Sequence, residues 1–166
     1  METNRPQLKL PLRPADIVME AAGGIAVAAL WAIVIYSYNN SPDMVPVHFD
    51  LAGNVDSYAE KRTVFILPCI ATVIFIVMTA INAYPHLFNY PGNITPENAE
   101  RQYRTSTRLI RFMKFAVPVI FAVLEYQTYR VAVTDSSGFD KWVIPLCLGL
   151  IFLPILYYML QSFKKS

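Results

Sequence analysis

Charge is scarce in this chain: 16% of its 166 residues are Asp, Glu, Lys or Arg, against roughly 25% in soluble domains. The 14 basic and 12 acidic residues nearly cancel, to +2, so bulk charge points to no nucleic-acid partner and only placement along the chain is informative. Cysteine is nearly absent. Two residues, Cys69 and Cys147, make no disulfide framework and read as small apolar side chains. The phosphate-loop, dinucleotide, nucleophile-elbow and H-E-x-x-H signatures are all missing, so no cofactor and no enzyme class is indicated. Repeats and low-complexity tracts are missing too. What is abundant is apolar surface, 55% of residues, arranged in unbroken runs that water would not tolerate.

Four runs are long enough to cross a bilayer: Ile17 to Tyr36, Thr63 to Ala83, Phe115 to Val133 and Trp142 to Leu160. The second and fourth carry no charge, the first only Glu20, and the third Glu125 and Arg130. A span isolated in lipid must satisfy its own backbone, and the alternation of a barrel strand is missing, so each run is expected to be helical. Pro68, Pro118, Pro145 and Pro154 lie within them and permit kinks. The first run starts too late and runs too long for a secretory signal. The expectation is an all-α integral membrane protein of four transmembrane helices. Residues 1–16 form a tail, 17–160 one membrane domain with helices at about 17–38, 58–84, 96–133 and 142–160, and 161–166 a second tail.

Basic residues mark the cytoplasmic side of short loops. With the N-terminus inside, Arg5, Lys9, Arg13, Arg101, Arg104, Arg108, Arg111, Lys114, Lys164 and Lys165 fall inside, and Lys61, Arg62 and Lys141 outside. Both termini are therefore placed in the cytoplasm. The connection 39–62 faces outward, and 134–141 is expected to be a short turn.

In the outward loop Val45, Val47 and Phe49 alternate with Pro46, His48 and Asp50. An extended stretch would turn the apolar three one way and place His48 and Asp50 on a common face. Leu51 to Asn54 supplies a turn at Gly53, and Ser57-x-x-Glu60 has the form of a capping box, placing the start of the second helix near Ser57. Lys61 and Arg62 would then sit at the positive end of that helix, in need of an acidic partner such as Asp50, Asp56 or a lipid phosphate. Three readings stand for this loop. Its polar residues shape the loop, or they bind an extracytoplasmic peptide or lipid, or His48, Asp50 and Asp56 hold a metal at a catalytic site.

The run Pro42 to Asp50, followed by Gly53, Asp56 and Lys61, resembles the signature P-x-H-F-x3-G-x2-D-x4-K of a bacterial membrane domain of unknown function. That domain forms the N-terminal part of SdpI-type immunity proteins, which protect a cell from a toxic peptide and, in one case, sequester a transcriptional repressor at the membrane. The resemblance implies a sensor or immunity module and singles out Pro46, His48, Gly53, Asp56 and Lys61.

Thr95-Pro96-Glu97 reads as a helix start that continues into the third span. Along its cytoplasmic part Arg101, Arg104, Arg108, Arg111 and Lys114 share one face, expected to meet lipid phosphates or a cytoplasmic protein. Glu20 reads as an interfacial carboxylate. Glu125, deep in a span with Tyr129 one turn away, needs a hydrogen-bond partner or a proton, either as a packing group or as a transport site. Arg130 lies near the outer end, where it can snorkel beside Tyr126.

Overall fold

The computed structural model describes residues 5–50, 52–134 and 136–163. Leu51, Lys164 and Lys165, named above, lie outside the described residues. The order is α1 (Pro14–Asn40), β1 (Met44–Phe49), β2 (Val55–Glu60), a 3-10 turn (Lys61–Phe65), α2 (Ile66–Ile81), α3 (Ala99–Thr134) and α4 (Val143–Phe163), with a further 3-10 turn at Pro85–Leu87.

α1 starts with Pro14 at its first position, where a missing N–H costs nothing, and Asp16 Oδ2 accepts the Arg13 N–H at 2.9 Å. α3 begins at Ala99, later than the sequence leads one to expect, and Thr95 forms the turn ahead of it. Its carbonyl accepts the Asn98 and Ala99 N–H groups, while Asn98 Oδ1 accepts the Thr95 N–H at 3.0 Å. With 36 residues, α3 is about 54 Å long at 1.5 Å per residue. It is the central rod, packed against α1, α2, α4 and β1.

Three helical stretches, Pro14–Asn40, Lys61–Ile81 and Val143–Phe163, are long and apolar enough to cross a membrane. Their apolar side chains mostly point away from the protein, with only 6% of the apolar window buried in the last. A surface of that kind calls for lipid as solvent, which makes this a multi-pass membrane protein. The third expected span, the C-terminal half of α3, is less apolar because Glu125, Gln127 and Arg130 interrupt it. Cys69 is exposed on α2 and Cys147 half-buried.

The core runs from the helices into the connection between α1 and α2. Leu30 and Val34 of α1, Val45 of β1, Val64 and Ala71 form one buried cluster. The hairpin is thus anchored in the helical core.

Two expectations about this connection are corrected. Ser57 does not cap a helix. It lies in β2, opposite His48, with Tyr58 opposite Pro46 and Ala59 opposite Val45, so cross-strand pairing outcompetes the local capping box. Helical backbone begins only at Lys61. The expected alternation also breaks. Val45 and Pro46 are both buried while Val47 is 44% exposed, because the register shifts between Pro46 and His48 and again between His48 and Phe49. Proline has no N–H to give the ladder, and a bulge absorbs the mismatch.

The connection before α4 is also more than a turn. Val55 N–H donates to the Ser137 carbonyl (3.0 Å) and Phe139 N–H to the Gly53 carbonyl (2.9 Å). Asn54 and Gly138 pair as an isolated bridge, and the Phe49 and Phe139 rings stack at 3.7 Å between centroids. The segment 137–139 therefore lies against the hairpin tip as a third edge.

Candidate functional site

At the hairpin tip, Gly53 adopts φ +86°, a conformation that glycine takes without steric cost. Asp50 closes the turn: Oδ1 accepts the Ala52 and Asn54 N–H groups at 2.8 and 2.9 Å, and Oδ2 accepts Asn54 Nδ2 at 3.0 Å. These bonds, led by that of the Asn54 side chain, hold the Asp50 carboxyl below its ordinary value.

His48 and Asp50 do not act together. His48 Nδ1 lies 2.5 Å from Asp56 Oδ1, across the strands, on side chains 69% and 46% exposed. Lys61 reaches neither Asp50 nor Asp56. It pairs with Asp43 at 3.1 Å and sits 5.5 Å above the Tyr38 ring, a residue chosen by the chain path between α1 and β1. Arg62 pairs with Glu60 at 2.5 Å. Pro46 is buried, opposite Tyr58. The motif residues thus form separate pairs along a rigid hairpin. Among the described residues no three of His, Cys, Asp and Glu are grouped to hold a metal, so His48, Asp50 and Asp56 make no common coordination site.

Below the hairpin, toward the bundle interior, Glu125 is 2% exposed. Among the described residues its Oε1 has no hydrogen-bond partner, and nor has Ser37 Oγ on α1, although Ser37 is near enough to influence it. Tyr129 offers no help, its ring being edge-on to Tyr36 at 5.4 Å. Glu125 borders a cavity of about 370 Å3 formed by β1, β2, the start of α2 and α3.

Arg130 is held by polar partners other than Tyr126. It donates to Gln127 Oε1 (3.1 Å) and to Asp140 Oδ1 (3.1 Å), and Gln127 in turn donates to Asp140 Oδ2 (3.0 Å). Gln127 is fully buried. This network ties α3 to the connection that braces the hairpin. Sequence reasoning missed Asp140, whose only signal was an acid ten residues beyond a membrane-level arginine.

At the opposite end of the bundle the basic stripe turns inward rather than outward. Arg108 Nε donates to Asp16 Oδ1 at 3.0 Å and Arg111 Nε to Glu20 Oε1 at 3.1 Å. Lys114, 1% exposed, pairs with the other oxygen of Glu20 and lies 4.4 Å from the Phe75 ring centroid. Glu20 is therefore a partner in the helix interface. The stripe's face was set by these two carboxylates, spaced i and i+4 on α1. Only its start remains open: Arg104 holds Glu100 at 2.8 Å, and with Arg101, Arg13, Tyr157 and Tyr158 it lines an open cavity of about 680 Å3.

Comparison with known proteins bears on the hairpin. A family described as "Domain of unknown function (DUF1648)" matches residues 25–72, the hairpin with the adjoining parts of α1 and α2. An "Uncharacterized protein" of Archaeoglobus fulgidus is 26% identical over 156 residues, covering 84% of this chain and 75% of its own length. No solved structure matches at a significant level.

Proposed function

We propose that this chain is a non-enzymatic recognition module of the bacterial cytoplasmic membrane, reading an extracytoplasmic peptide or lipid through the 42–61 hairpin. In this reading α1, α2, the C-terminal half of α3 and α4 all span, with both termini cytoplasmic and the hairpin outside. The observation that carries it is the hairpin's rigid mounting. Val45 is locked in the helical core and 137–139 braces the tip, yet His48 and Asp56 remain exposed. An exposed ion pair of this kind adds only about 0–1 kcal/mol to stability. Polar groups held on a stiff support are suited to binding. The match to a domain of unknown function over the same residues and the resemblance to SdpI-type immunity proteins favour a protective or signalling role. The basic start of α3 is the proposed contact for anionic lipid or a cytoplasmic protein.

The test is tolerance of a sensitive bacterial host to a panel of membrane-active peptides. Wild-type chain should protect against at least one, and His48→Ala or Asp56→Ala should abolish protection at equal membrane abundance. Absence of protection by wild type, or its persistence in both variants, overturns the reading.

Glu125, buried with its Oε1 unpaired among the described residues, favours a second reading as part of a transporter. That reading requires a pH-dependent flux that Glu125→Gln removes.

A further inference from the structure

The cavity under the hairpin combines three features. Its walls are apolar, with Val45, Val47, Ala59 and Leu67 among them. Among the described residues, Glu125 brings to the lining a buried carboxyl whose Oε1 has no hydrogen bond, and no Lys, Arg or His lines the cavity. Its rim carries exposed apolar side chains, Val47 at 44% and Ile66 at 54%, so entry is open from the lipid side. At about 370 Å3 it falls within the roughly 300–1,000 Å3 of small-molecule sites.

A buried carboxylate without a donor is costly, and the cost is relieved when a cation is brought to it. An apolar chain would fill the walls, and only a head that donates would satisfy the oxygen. An anion would be repelled, and an apolar molecule without a donor would leave the carboxyl as it is. We infer that this cavity binds an amphiphile with a single ammonium head on an apolar body, entering from the bilayer, with Glu125 as its counter-ion and the Thr128 hydroxyl beside it. The inference rests on the recognition reading above and names the chemistry of the ligand.

The experiment uses the full chain in lipid nanodiscs and a long-chain alkylamine bearing a photoreactive diazirine. Cross-links should map to 45–47, 63–67 and 125–128, and dodecylamine should displace the probe about tenfold or more better than dodecanol or dodecanoate, as a charge-assisted hydrogen bond requires. Glu125→Gln should remove the amine's advantage over the alcohol, with Glu125→Asp keeping part of it. Leu67→Trp fills the cavity while keeping Glu125 in the chain, and should suppress labelling by the amine probe and by an alcohol counterpart alike. If amine and alcohol compete equally in the wild type, the ammonium assignment is overturned while the cavity stands as a binding site. If none of the three segments is labelled by either probe, the inference and binding at this part of the hairpin fall together.

Discussion

Lys114 is the residue whose environment departs furthest from its appearance in the sequence, a membrane-edge lysine that is 1% exposed and paired with Glu20. Removing one member of a buried pair leaves the other uncompensated, which typically costs about 3–5 kcal/mol. The Glu20 side chain is 30% exposed and keeps Arg111, so Lys114→Met should cost less, about 2–4 kcal/mol. Thermal unfolding in detergent should show this as a lowered midpoint, and Glu20→Gln/Lys114→Met should lose less than the sum of the single changes. Asp50 gives a pH prediction. Its carboxyl is held below the ordinary value of 3.8 by Asn54 and Ala52, so the turn's stabilisation is complete above that value and is lost as pH falls through the lower folded-state value. Protection of the Asn54 amide from exchange, taken relative to an unstructured peptide at the same pH, should fall on acidification below about pH 4, and Asp50→Asn should abolish that acid dependence. Protection that stays constant with pH in the wild type would refute it.

The hairpin shows what elements do that single residues do not. Its existence as an extended stretch was legible in the alternation from Val45 to Asp50, and its turn at Gly53 was legible too. Its second strand was hidden, because Ser57 to Glu60 satisfies a local helix-start pattern as well as a strand. Only the presence of β1 opposite it decides between the two. The brace from 137–139 was equally hidden, since a contact across more than eighty residues leaves no local trace. It depends on close backbone approach: a Cβ on Gly138 would strike the Gly53 carbonyl oxygen. Gly138→Ala is therefore expected to push the brace off, and hydrogen exchange at the Val55 amide, which donates to Ser137, should rise. Phe139→Ala should weaken the same contact by about 1–2 kcal/mol through loss of the stacked Phe49 pair and its burial. Unchanged exchange in both variants would mean that the hairpin stands without its brace.

For the whole molecule, the testable claim is the proposed topology. Cysteines placed at Asn54 and Asn98, in a chain with Cys69 and Cys147 replaced, should react with a membrane-impermeant reagent from opposite sides, Asn54 from outside. Labelling of both from one side would overturn the four-span arrangement. The sequence by itself determined the solvent, because apolar runs of about 20 residues are a local property that no fold can hide. It also placed the motif between the first two spans. Tertiary structure alone decided which way the polar groups face. It turned the arginine and lysine stripe onto Asp16 and Glu20, joined Arg130 to Asp140, separated His48 and Asp56 from Asp50 and Lys61, and left Glu125 facing a cavity. Periodicity gives a helix or strand a polar face, but partners distant in the chain decide what that face meets, and a charge in a low-dielectric interior is stable only where such a partner arrives.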